Sequence, residues 1–457
     1  MKHTQFNAAA YEHETPVRFF GSETEFSMPL PVDTDPEECT ASLVDILPDQ
    51  EILASGNYGG VYMAYDGGIT YLDHGNVVEC STPECASAME LALHERVAEA
   101  RAATIAQYVR DKYDMASTAY KRSGWAEITD PKNPAALLFE ELSTGHHENY
   151  HAPGLTMHGS SFPRERRLAL QAILATRKTW TGTGMVTQTA YLTTQKPAAI
   201  DYIDGNSQTS HGNKIPWRAN GSALEIRDGE GNMSEWVIRH KYALTSLALR
   251  MLEHDCFPEG LYLENPNHAV ASIAINPSAS VQLANGRSMP AIDHQYALYD
   301  SAVRQLGDTL PDEEINAFVA FESLWKGYKE IDFDKMEVTP ISDRVDWAAK
   351  LDHMLLRNLE PTDIHGGNFG ALSHDLEWED VSTKGPAREW YRKYGNEQIT
   401  SSDVLIARTK PPQTRAARRV SLVLAKRNED SASMTVTMKG WSSLEIDGVT
   451  YPLGDPS

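Results

Sequence analysis

Gly21-Ser22-Glu23-Thr24-Glu25-Phe26 follows the apolar start Val17-Arg-Phe-Phe20, and the whole stretch 17–28 reads as a β-strand. Side chains alternate between faces along a strand, so Glu23 and Glu25 point to the same side. Two same-face carboxylates beside a chain reversal can hold Mg²⁺, which takes oxygen ligands and usually arrives with a nucleotide phosphate. The same pair would equally suit a strand face turned to solvent.

Two further clusters lie downstream. Tyr71-Leu-Asp73 shares one strand face, and Glu79 and Glu84 follow a Gly75-Asn76 bend. A carboxylate beside a metal-bound phosphate can act as general base towards an incoming amine; Asp is also an ordinary turn residue. In Gly145-His-His147-Glu148-Asn149-Tyr150, a strand would project His147 and Asn149 together and Glu148 opposite. Imidazole can join carboxylates around a divalent ion, or this is a surface histidine pair. Gly182 and Gly184 permit close backbone approach, to a ligand or within a turn. Ser234 before a helix is explained as an N-cap. Arg415, Arg418 and Arg419 suit either a phosphate or carboxylate ligand or the offsetting of nearby acids.

Around these clusters the chain mixes strands and helices without a βαβ rhythm, which predicts an α+β fold. Val61–Tyr65 and Thr70–Ser81 read as strands, with a turn at Asp66-Gly67-Gly68. Ser87-Ala-Met-Glu90 is a capping box opening a helix to about Tyr113, with Met89, Leu93 and Val97 as its apolar stripe. Helices are expected at 164–177, 234–254, 296–306, 311–331 and 343–358. Residues 31–50 read as an acidic loop, and Gly56–Gly60 as a simple turn. Short strands follow Pro411-Pro412, at 433–439 and 443–451. The expected division is a lead-in (1–18), a main domain (19–399) and a small C-terminal domain (400–457).

The 457 residues include 41 Lys+Arg and 64 Asp+Glu, a net charge of −23. That excess repels phosphate backbones and argues against nucleic acid as a primary partner. No apolar run approaches the roughly 20 residues of a membrane-spanning helix, and Met1–Arg18 has no signal-like apolar core. A cytoplasmic location and no membrane partner are therefore expected. Cys39, Cys80, Cys85 and Cys256 are expected as buried thiols.

Taken in order, these motifs resemble the Pup ligase and depupylase family of glutamine synthetase-like carboxylate–amine ligases. Gly21-Ser-Glu-Thr-Glu-Phe26, Tyr71-Leu-Asp73 through Cys85, His147-Glu-Asn-Tyr150, Thr176-Arg177, Gly182-x-Gly184, Asn232-Met-Ser-Glu235, Asp346-Trp347 and Lys410-Pro-Pro-Gln-Thr carry the likeness. It implies a curved, largely antiparallel sheet cradle backed by helices, holding ATP and Mg²⁺. ATP would phosphorylate the terminal glutamate of a Pup-like modifier, and a lysine amine would attack the acyl phosphate. The resemblance implies Glu23, Glu25, Glu79 and His147 as metal–nucleotide ligands, with Glu225 as a fifth metal residue, Asp73 as catalytic, and Tyr71, beside it, as cofactor-binding. Arg218 and Trp441 fall near positions that contact nucleotide, and Arg415 joins them as a candidate. Two departures stand out: Val77-Val78 replaces His-Pro, and Glu225 stands where a metal-ligand histidine is expected. The Arg-Asp-Glu-Pro-His-rich stretch before it is reduced to Ile215-Pro-Trp-Arg-Ala-Asn-Gly221. Phe26 and Tyr71 enclose only 44 residues (27–70), which suits the ligase branch. The alternatives are a depupylase or deamidase using the same site, a ligase for another peptide or small molecule, and a non-catalytic relative. Intact Glu23, Glu25, Asp73 and Glu79 oppose the last.

Overall fold

The computed structural model describes residues 18–28, 52–55, 62–73, 77–114, 116–123, 127–128, 139–140, 144–155, 157–159, 163–197, 200–203, 216–395, 397–429, 436–438 and 443–453. The expectations for 1–17, 31–50, Gly56–Gly60, the Gly75-Asn76 bend and Trp441 lie outside these residues.

β1 (Phe20–Phe26) buries Phe20, Ser22, Thr24 and Phe26 on one side and leaves Glu23 and Glu25 half-buried on the other. Along the chain follow β2 (Ile52–Ser55), β3 (Tyr62–Ala64), β4 (Ile69–Asp73), β5 (Val77–Ser81), the short pair β6 (Glu127–Ile128) and β7 (Phe139–Glu140), β8 (His146–His151) and β9 (Met157–Gly159). Then come the pair β10 (Met185–Val186) and β11 (Tyr191–Leu192), followed by β12 (Trp217–Gly221) and β13 (Ala223–Ile226). Nine of these form one antiparallel sheet in the order β2-β3-β4-β5-β1-β8-β13-β12-β9. The stretch read as one strand over 70–81 is instead two, β4 and β5, paired antiparallel with Tyr71 opposite Glu79. Gly75 and Asn76 stand between the two strands in the sequence, and both are turn-forming residue types.

One face of the sheet is apolar and packs on helices; the other is polar, as antiparallel sheets allow. Phe20, Tyr150, Leu224 and Ile226 share a core with Leu91 and Ala92 of the Ala88–Tyr113 helix, Leu170, Ile173 and Leu174 of the Arg164–Thr181 helix, and Val237, Tyr242 and Leu244 of the Glu235–Glu253 helix. Ser87 caps the first of these, accepting from the Glu90 backbone N–H at 3.1 Å. Its buried side, however, carries Leu91, Glu95, Ala98 and Ala102, while Met89 and Leu93 are only partly covered. Buried Lys121, 2.7 Å from Glu95 and 3.1 Å from Glu99, compensates the acids that disguised this stripe.

Ions also sit directly beneath the polar face. Arg177 holds Glu148 at 2.8 and 3.0 Å and Asp228 at 2.8 Å. Lys178 holds Glu230 at 3.1 Å. Asn232 and the Ser234 backbone both donate to Asp346, at 2.9 and 3.0 Å, so two of the quoted motifs meet. Ser234 also caps the Glu235–Glu253 helix, through Val237 N–H at 3.2 Å. Gly182 touches the Thr193 backbone so closely that no Cβ fits, so its close approach is to the chain itself.

Observed helices at Ala291–Leu306, Asp312–Tyr328 and Asp346–Leu356 match expected ones within a few residues. The short helices Pro266–Ile275, Phe369–Trp378, Pro386–Lys393 and Ser401–Ala407, and the Arg415–Glu429 helix, were not anticipated. A further hairpin is β14 (Ser280–Gln282) with β15 (Ser288–Pro290). The chain closes with a three-stranded sheet, β16 (Val436–Met438), β17 (Ser443–Ile446) and β18 (Val449–Pro452), turning at Asp447-Gly448 as read. Its Leu444 and Ile446 share a small core with Val423 and with Leu53 and Met63 of β2 and β3. No described helix is long and apolar enough to cross a membrane. Cys80 and Cys85 are buried thiols and Cys256 is half-buried.

Candidate active site

Strand register alone gathers the acidic residues. Tyr71 on β4 faces Glu79 on β5, and Glu79 faces Glu25 on β1, making one row across three strands. Two residues along β1, Glu23 faces His147 on β8. β13 brings Glu225 alongside, opposite Asn149. Ligand atoms of Glu25, Asp73 and Glu79 lie within 4.8 Å of one another, and those of Glu23, His147 and Glu225 do the same. The five residues named as metal ligands therefore converge on one face, in two groups joined by β1, with Asp73 in the first.

The first group is strongly anionic. Glu79 is 4% exposed. Burial, and then the carboxylates of Glu23 and Glu25, push its carboxyl up to about 9. Burial, and then Glu79, raise the Tyr71 phenol well above its usual value, and the two side chains are hydrogen-bonded. Oxygen donors that repel one another this strongly fit a hard divalent cation, whose charge relieves the repulsion. Gly145 N–H donates to Glu25 Oε2 at 2.6 Å. A Cβ on Gly145 would fall 2.6 Å from Glu25 Oε1 and 2.8 Å from His147 Nε2, so any larger residue there would displace these side-chain ends.

The second group is more mixed. His147 Nδ1 lies 3.2 Å from Glu23 Oε2 and 3.6 Å from Glu225 Oε1. Arg227 Nε is 2.6 Å from Glu225 Oε1, and Arg218 Nη1 is 3.9 Å from Glu225 Oε2. Arg218 is 57% exposed and sits at the rim. Nearby, buried Lys196 places Nζ 3.4 Å from the Arg227 carbonyl. Burial, and then Lys178, pull its amine down to about 8.

Sequence reasoning missed Arg227 and Lys196. Arg227 was within reach of it, because two residues from Glu225 on a strand means the same face. Lys196 lies in an irregular segment with no period to read. Arg415 lies beside another carboxylate: its Nε is 3.6 Å from buried Glu84, which Arg419 holds at 2.6 Å. That is the charge-offsetting arrangement left open above. Thr414, beside it, donates to the Glu84 carbonyl at 2.8 Å, tying Lys410-Pro-Pro-Gln-Thr414 to the segment after β5.

Known proteins share this architecture. The chain is 26% identical to the Pup–protein ligase of Nocardioides sp., over 94% of this chain and 93% of that protein. It is 25% identical to that of Mycobacterium tuberculosis, with the same coverage. Among solved structures, the ligase PafA in complex with the prokaryotic ubiquitin-like protein Pup superposes with a TM-score of 0.71 at 21% identity, covering 96% of this chain and 89% of that one. PafA in complex with ADP gives a TM-score of 0.68 at 21% identity, over 94% and 92%. The family model described as "Pup-ligase protein" matches residues 18–445, and the chain with its paired acidic groups on one sheet face belongs to that family.

Proposed function

We propose that the protein is an ATP-dependent carboxylate–amine ligase that joins a Pup-like modifier to a lysine amine. The observation that carries this is the convergence of Glu25, Asp73 and Glu79, with Glu23, His147 and Glu225 beside them, on one face of an antiparallel sheet. Curated relatives are Pup–protein ligases, and the similarly folded PafA was solved with ADP, which supports ATP as the nucleotide.

Glu25 and Glu79 would hold Mg²⁺ beside the phosphates, where the ion supplies charge neutralisation. Phosphoryl transfer depends on positioning and electrostatics more than on covalent help from the protein. A carboxylate oxygen of the modifier attacks the γ-phosphorus, and ADP leaves. The lysine nitrogen then attacks the acyl carbon, phosphate leaves, and Asp73 takes the ammonium proton. Tyr71, hydrogen-bonded to Glu79 and far from ionising, keeps that carboxylate oriented. The anionic face also draws a cationic lysine. The 44 residues between Phe26 and Tyr71 (27–70) include β2 and β3, which is consistent with the ligase branch.

The test supplies ATP, Mg²⁺, a modifier ending in glutamate and a lysine-bearing acceptor. Expected are ADP and an acceptor heavier by the modifier less one water. Efficient cleavage of a preformed isopeptide conjugate, with no joining of the free modifier, would instead establish the hydrolase alternative.

A further inference from the structure

The two groups on the polar face differ in their cations. Glu25, Asp73 and Glu79 form an all-carboxylate set. In the other group, Glu225 already meets a guanidinium: Arg227 Nε is 2.6 Å from its Oε1. Arg218 approaches its second oxygen at 3.9 Å, and Lys196 Nζ touches the Arg227 carbonyl at 3.4 Å. Arg227 follows β13 directly, and its side chain is only 11% exposed. Its Nε and Nη1 are nevertheless buried with no hydrogen-bond partner among the described residues. With Glu225 the guanidinium makes an ion pair but no aligned hydrogen bond. Buried N–H donors require an acceptor, and a guanidinium fork matches the spacing of phosphate oxygens. A divalent ion seated on Glu23, His147 and Glu225 would lie close to this fixed positive charge in a half-buried site and be repelled by it.

We propose that Arg227, anchored by Glu225, stands in for a second metal ion. It neutralises the nucleotide phosphates at the Glu23–His147–Glu225 end of the face, and metal serves only the Glu25–Asp73–Glu79 end. This rests on the ligase reading only in placing a nucleotide on this face.

The test counts Mn²⁺ bound per chain, by electron paramagnetic resonance under saturating non-hydrolysable ATP analogue, and measures the analogue's Kd by calorimetry. The native chain is expected to bind one ion. Arg227→Gln should raise the Kd at least tenfold, and Arg227→Lys, which keeps the charge but loses the fork, should raise it less. The pair Glu225→His with Arg227→Gln should admit a second Mn²⁺. Thermal melts confirm that each variant folds. Two ions in the native chain, or an unchanged Kd in Arg227→Gln, overturns the proposal while leaving the ligase reading standing. No nucleotide binding by the native chain, in the presence of Mn²⁺, overturns both.

Discussion

Glu79 is the residue whose surroundings bear most on the proposed metal. With its carboxyl held up to about 9 by burial and by Glu23 and Glu25, it carries a proton at pH 7.5 before the ion arrives. Metal ligands must be deprotonated, so metal–nucleotide binding should expel that proton. Calorimetry in buffers of different ionisation enthalpy should show close to one proton released at pH 7.5, and none in Glu79→Gln. Asp73 is tested differently. Asn nearly matches its shape but cannot take the ammonium proton, so Asp73→Asn should keep ATP-analogue affinity within about threefold while conjugate formation falls by roughly 10²–10⁴-fold. Gly145→Ala would press a methyl on Glu25 and His147 together, and should weaken nucleotide binding with little change in Tm. Glu23 and Glu25 were legible from period 2 alone, and His147 opposite Glu148 likewise. Arg415 was not, because its partner Glu84 is distant in sequence and either role satisfied the local pattern.

Elements were legible where local chemistry marked their ends. Ser87 and Ser234 cap the helices predicted to follow them. The covered side of the Ala88–Tyr113 helix was misread because its buried positions include Glu95, Glu99 and Arg101, which look like a solvent face until Lys121 and Asp66 are brought alongside. The same concealment applies to the Arg164–Thr181 helix, where Arg177 reaches under β8 to Glu148 and Asp228. Removing one partner of a buried ionic cluster leaves uncompensated charge and costs about 3–5 kcal/mol. Arg177→Met should therefore lose about that much stability in denaturant unfolding, whereas Arg218→Met, at the exposed rim, should change it by less than ~0.5 kcal/mol.

For the whole molecule, an α+β architecture followed from the absence of a βαβ rhythm, but strand order did not. Pairings such as β1 with β8 join segments more than a hundred residues apart, and nothing local records them. The buried acids set the response to pH. Burial raises the Glu148 carboxyl, but Arg177 and then Lys241 outweigh it and bring it down to about 2. Burial likewise raises Glu230, and Lys178 with backbone donors from Gln195 and Thr183 bring it to about 2. A depressed acid stabilises the fold above its unfolded value, near 4.5, and that contribution disappears as pH falls towards 2. Each shift is worth roughly 3 kcal/mol. The contribution of these two acids to Tm should thus be constant from pH 7 to about 5 and be lost steeply below 4.5, and the Tm gap between the native chain and Arg177→Met should narrow over that lower range. The position of β1 has a further consequence, for biosynthesis. It is the earliest described strand to leave the ribosome, yet it lies between β5 and β8, and its two carboxylates belong to groups completed only by Glu79 and by Glu225. At about 5–20 residues per second, the roughly 200 residues from Glu23 to Glu225 take on the order of 10–40 seconds to appear. Until β8 emerges the nascent strand waits with an unpaired edge, and a chain interrupted before Glu225 holds only one of the two acidic groups complete.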